Sequence, residues 1–216
     1  MTQQSDNAPG TSLFPSIGTF HTMMSEELAG LTDEQLDFTS DKWEWSEWSI
    51  RRNASHVSSG GLRWILGRWA DANLAEGIDL PEDAMEIVNS GARWLDEDKY
   101  HSVDSILGKL KESLDLCDAV LAKQTVGSMR SMELPWSNTG QAAQMAEAHP
   151  NGRRLDPSDP EKAFINLEYT FRHIWFESMT HLYNIQRLKR AQGLSATVAL
   201  PNEGYHTIPS WDSSEP

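Results

Sequence analysis

The sequence predicts an all-α protein, a four-helix bundle with long inter-helix connections and polar tails. Two observations carry this. Four stretches have apolar residues recurring every three and four positions, which is one face of a helix. Nothing alternates with period two for long enough to suggest a sheet, and Thr197 to Leu200 reads at most as a lone strand. With 216 residues and 38% hydrophobic composition, the chain can bury one sizeable core.

Taken in order, residues 1–13 read as a flexible N-terminal tail, 14–200 as the body and 201–216 as a C-terminal tail, both ends being rich in Ser, Thr, Gly and Pro. The first helix is expected over 16–30. LTDEQLDF follows, where Thr32 is placed to cap a short turn. The second helix opens at Ser49, after Trp43, Trp45 and Trp48, and runs to about residue 75. The third covers 102–124, with Val103, Ile106, Leu107, Leu110, Leu114, Cys117, Val120 and Leu121 on its stripe. The fourth covers 159–192. There Asp159 is placed as N-cap, Pro160 suits the first position, Glu161 favours the positive end of the dipole and Gly193 ends the run. Connections 77–101 and 125–158 remain, and loops of that length often carry function. Four long helices in one domain point to a bundle.

Charge excludes some functions. The chain has 18 basic and 32 acidic residues, for a net charge of −14. Between Met1 and Ile50 nine carboxylates face one lysine, which repels nucleic acid and anionic membranes. A single cysteine, Cys117, forms no internal disulfide and sits on an apolar stripe, so it reads as core. No run approaches the roughly 18 apolar residues of a membrane span, and no leader opens the chain. The expectation is a soluble, cytoplasmic protein.

The chemistry concentrates in the fourth helix. His173, Glu177 and His181 are each four apart and climb one face, drifting by about 40° per step on a 3.6-residue turn. A carboxylate and an imidazole at i and i+4 can grip one metal ion, and His56 is the candidate third ligand from the second helix. Two imidazoles and one carboxylate leave the far side of a metal open. The same spacing also suits an ordinary hydrogen-bonded pair. Among the other histidines, His21 has no partner nearby in sequence, and His101, His149 and His206 fall in loops or the tail, where exposure is expected. Arg63, seven residues after His56, shares its face and is a candidate for a substrate carboxylate, with a surface ion pair as the plainer reading. Arg172 and the pair Arg153–Arg154 are weaker candidates. Trp64, Trp69 and Trp175 suit core or pocket-wall packing.

The segment WSIRRNASH, from Trp48 to His56, resembles the opening of the second helix in the DinB-like metalloprotein superfamily, where a Trp-Ser pair precedes a metal-binding histidine by this interval. LTDEQLD resembles the usual approach to that helix. ESMTH, from Glu177 to His181, resembles the Glu-x-x-x-His segment of the mycothiol-dependent maleylpyruvate isomerase branch. After His181 comes Leu-Tyr-Asn-Ile, with Asn184 where the family has glutamine. The resemblance covers roughly residues 14–194. It implies a four-helix bundle with His56, Glu177 and His181 as ligands of a divalent ion, zinc first, with nickel and iron as alternatives. It further implies a thiol-dependent transferase or isomerase acting on a small molecule with a low-molecular-weight thiol, in a homodimer. His173 has no ligand counterpart and is left as a nearby acid or base or a packed residue. The same ligands would also serve a non-haem iron enzyme, or a non-catalytic metal- or ligand-binding stress protein.

Overall fold

The computed structural model describes residues 4–149 and 151–216. Among the described residues, eight α-helices and one three-stranded antiparallel sheet make the fold. Helix α1 is Thr19–Leu28, and α2, Asp33–Leu36, opens on a capping box in which Thr32 and Gln35 each accept the other's backbone N–H. Helix α3, Ile50–Leu62, starts where Ser49 Oγ accepts the Arg52 N–H. Its buried Arg51 ties α2 to it through Asp33 and Asp37, both at 2.6 Å.

The expected second helix is broken. After Leu62 the backbone widens into one π-helical stretch, Arg63–Arg68, then tightens through Ala70–Ala72 and ends at Asn73 in a left-handed conformation, φ 49°. The connection that follows holds α4, Ala84–Asn89. Helix α5, Val103–Lys123, is capped by Ser102 and lies close to the expected 102–124. Helix α3 packs on both α5 and α8 (Leu167–Ala191), and α1 packs on the same two. The α3–α5 contact is close because Gly61 has no side chain: a Cβ there would sit 2.6 Å from Ser113 Oγ and 2.7 Å from Cys117 Sγ. One buried apolar cluster runs through all four, including Phe20, Met24, Ile50, Leu62, Leu110 and Phe171.

The described chain is mostly helical, as expected, but the connection between α5 and α8 adds a small sheet where short helices alone were expected. That connection carries α6 (Val126–Ser131), β1 (Glu133–Ser137), α7 (Gly140–Met145), β2 (Arg153–Asp156) and β3 (Asp159–Asn166), ordered β1-β3-β2. Asp159, Pro160 and Glu161 therefore lie in a strand and do not start a helix. Asp159 Oδ1 accepts the Glu161 N–H two residues on, and Asp156 Oδ1 does the same for Ser158, so the acids hold a hairpin turn. The true N-cap of α8 is Asn166, whose Oδ1 accepts the Tyr169 N–H at 2.8 Å, with Glu168 in the first turn. Register places Trp136 opposite Ala163 and Leu134 opposite Ile165.

Neither described end hangs free. Gly10 is buried and bonds to Gln124, and Pro9 pairs with Thr125. At the other end Tyr205 is fully buried, and Arg187 of α8 donates to the carbonyls of Asp212 and Ser214. Thr197 and Val198 form no strand; their N–H groups donate to Glu27, a buried carboxylate also bound by Lys189 and Gln186. Among the described residues no helix is long and apolar enough to cross a membrane.

Candidate metal centre

His56 from α3 meets Glu177 and His181 from α8, and one donor atom from each lies within 4.8 Å of the others. Helix spacing explains the pairing on α8, and the α3–α8 contact supplies the third group. His56 Nε2 stands 3.7 Å from Glu177 Oε2, and the two imidazole centroids are 4.6 Å apart.

The outer nitrogens of both rings are occupied, and this sets which nitrogen faces inward. His56 Nδ1 lies 2.6 Å from the Arg93 carbonyl, which can only accept, so Nδ1 carries the proton. Asn53 donates through Nδ2 to the carbonyls of Trp48 and Ser49, which turns its Oδ1 toward His181 Nδ1 at 2.7 Å. His181 Nδ1 therefore also donates. In the neutral rings both Nε2 lone pairs are left for the interior, as metal-binding imidazoles require. Burial pushes His181 down to about 3, the neighbouring His56 adding to the shift and Glu177 opposing it. Burial raises the Glu177 carboxyl, but the fields of His173, His56 and His181 outweigh it and hold it well below the usual carboxylate range. An ionised carboxylate beside imidazole lone pairs is a donor set that fits a divalent ion.

His173 is not in that donor set. Its Nε2 stands 3.6 Å from Glu177 Oε2, and its Nδ1 is 2.6 Å from the Tyr205 hydroxyl. The same hydroxyl is 2.9 Å from His149 Nε2. A hydroxyl has one proton, so it donates to one ring and accepts from the other, giving a buried line from His149 through Tyr205 and His173 to Glu177. His149 is thus 1% exposed, contrary to its expected place in an open loop. Burial pushes it down to about 3, with His173 and Arg172 adding to the shift.

Two cavities adjoin at Glu177. One, about 450 Å³, is walled by Trp48, Asn53, His181, Tyr205 and Trp211. The other, about 540 Å³, is walled by His56, Arg63, Trp64, Arg68, Trp136 and His173. Glu177, Arg93, Gln141 and Met145 border both. Trp48 stacks on His181 at 5.7 Å and meets His56 edge-on at 5.2 Å, so this tryptophan is a wall of the centre. Trp69 and Trp175 are buried, donating to Thr170 and Glu203.

Other sequence candidates go elsewhere. Arg172 pairs with Glu168 and Arg154 with Glu133, and Arg153 lies in β2. Cys117 is fully buried on α5, where desolvation pushes its thiol far up. Asn53 was within reach of sequence reasoning, being three residues before His56 on the same helix. Arg93 contributes a main-chain carbonyl and Tyr205 comes from an aperiodic segment, so neither leaves a pattern in the sequence. Compared with family models, curated proteins and solved structures, the chain matches none of them.

Proposed function

We propose that the protein is a DinB-like four-helix bundle that binds one divalent ion, zinc first, through His56, Glu177 and His181, and acts on a small molecule as a thiol-dependent transferase or isomerase. The observation that carries this is the pair of outer hydrogen bonds, His56 Nδ1–H to the Arg93 carbonyl and His181 Nδ1–H to Asn53 Oδ1, which leaves both Nε2 atoms for the side of Glu177. The likeness of WSIRRNASH and ESMTH to the superfamily supports it, as does the packing of α3 against α5 and α8.

When bound, the ion supplies positive charge that lowers the pKa of a thiol or water in its open position. The chain's own residues do the rest. Trp48 and Met145 limit water at the centre, and His173, bonded to Tyr205, holds a polar ring beside Glu177. The cavities on either side of Glu177 give room for two small molecules, which a thiol and a second substrate require. A cytoplasmic homodimer completes the proposal; light scattering should give twice the 24.3 kDa chain mass at micromolar concentration, and a monomer mass would refute the dimer.

The test is elemental analysis of chain purified without chelator, followed by titration with a low-molecular-weight thiol. Zinc with a thiol-dependent change at the metal supports the transferase or isomerase. Iron instead would favour oxygen chemistry on the same ligands, since a two-histidine, one-carboxylate face suits it.

A further inference from the structure

The cavity beside His56 and His173 has a charge pattern that the metal centre does not use. Arg63, Arg68 and Arg93 all border it, and its one carboxylate is Glu177. Of the eight other arginines, Arg51, Arg52, Arg130, Arg154, Arg172 and Arg190 each pair with an aspartate or glutamate, and Arg187 is bound by the carbonyls of Asp212 and Ser214. None of the three cavity arginines pairs with a carboxylate among the described residues. Arg63 is part-buried and Arg68 and Arg93 are exposed at the cavity mouth, so three guanidiniums without carboxylate partners give the cavity a positive potential that favours an anion.

Their geometry is held in place. Arg63 Nε donates to Ser59 Oγ at 3.0 Å, and its Nη2 donates to Ser90 Oγ and the Trp94 carbonyl at 3.1 and 3.3 Å. These bonds fix the guanidinium plane and leave Nη1 for another acceptor. Burial works against the charge on Arg63, a cost that a bound anion would offset. Arg68 lies over the Trp136 ring at 5.6 Å and Arg93 over Trp48 at 5.1 Å, so both are steered by aromatic faces. Part of the remaining wall is apolar: the indoles of Trp64 and Trp136, with centroids 5.1 Å apart and planes tilted by 40°, together with Val88 and Met145, while Gln141, His56, His173 and Glu177 supply its polar part.

We propose that this cavity is a binding site for a small organic carboxylate with a flat, apolar body, its carboxylate held by Arg63 with Arg68 and Arg93 at the mouth and its body against Trp64 and Trp136. The site names a substrate class for the proposed enzyme and rests on that reading for its relevance, but the binding itself needs no ion. The cavity on the other side of Glu177, bordered by Glu44, Glu47 and Asp212 as well as arginines, is the less favourable place for an anion.

The probe is 2-naphthoate, titrated calorimetrically into the full chain as purified and after chelator treatment. Saturable binding in both samples is expected, with none for the uncharged 2-naphthylmethanol. Affinity should fall about tenfold or more in Arg63→Gln, the worth of one charge-assisted bond, and also fall in Arg68→Gln. Glu47→Gln, on the other cavity, should bind as wild type. Arg68 is exposed, so its variant carries the test if Arg63→Gln does not fold. The proposal is overturned by absence of saturable naphthoate binding, by wild-type affinity in both arginine variants, by binding that disappears with the chelator, or by inorganic phosphate binding more tightly. Failure of the metal reading is read separately, as absence of an ion in elemental analysis of the same sample.

Discussion

The Oδ1 of Asn53 lies 2.7 Å from Nδ1 of His181, and the Asn53 amide is oriented by its own two bonds to the carbonyls of Trp48 and Ser49. One asparagine on α3 therefore fixes which nitrogen of a histidine on α8 faces Glu177. Replacing it with leucine keeps the volume and removes the acceptor. Asn53→Leu should weaken metal binding about 10- to 100-fold while circular dichroism stays helical. Competition with a chromophoric zinc chelator measures it; unchanged affinity would mean that His181 needs no orienting partner.

Tyr205 joins two buried histidines through one hydroxyl. Tyr205→Phe leaves His149 Nε2 and His173 Nδ1 without that partner, and should cost about 2 kcal/mol or more in urea unfolding. Bound metal should stay stoichiometric, because Tyr205 is not a ligand. A variant as stable as wild type would show that the C-terminal segment contributes only cover.

The pH dependence follows from His149, whose folded-state value is pushed down to about 3 by burial first. Such a group is neutral when folded and takes up a proton when unfolded. Its contribution is therefore complete above the ordinary histidine range, near 6.5, and is lost as pH falls from there toward 3, by about 1.4 kcal/mol per pH unit. His149→Gln retains an Nε2 donor for Tyr205 and does not titrate, so the decline in melting temperature from pH 6.5 to 4.5 should be shallower than in wild type. Parallel declines would refute the assignment.

Glu27 is fully buried and bonded to Lys189 at 2.5 Å, to Gln186, and to the N–H groups of Thr197 and Val198. Glu27→Gln leaves the Lys189 charge buried without its counter-ion and should cost about 3–5 kcal/mol. Chemical denaturation reads it, and a loss below about 1 kcal/mol, the scale of an exposed pair, would contradict the buried network.

Much of the helical frame was legible because its cues are local. Ser49, Thr32 and Ser102 cap helices in the structure, and the α5 stripe from Ile106 to Leu121 faces the core. The start of α8 was misread because Asp159-Pro160-Glu161 carries the cues of a helix N-terminus, while a hairpin uses the same acids to hold its turn. Only seven residues later does Asn166, with Glu168, present the real cap. The sheet leaves no pattern in the sequence because its strands are four to eight residues long and only partly buried, giving too few alternations to register. For the site, i, i+4 spacing brought His173, Glu177 and His181 to one face, but it could not say that His173 would turn to Tyr205. That choice belongs to a residue 32 positions away, in a segment with no period.

Elemental analysis of the full chain, purified without chelator, beside His181→Ala is the most direct test of the central claim. The wild type should carry about one divalent ion per chain, and the variant should carry none while keeping its helical spectrum, because the apolar cluster across α1, α3, α5 and α8 holds the fold without the ion. A wild type that holds no ion and takes up no zinc on addition, or a folded His181→Ala variant that keeps a full equivalent, would contradict it.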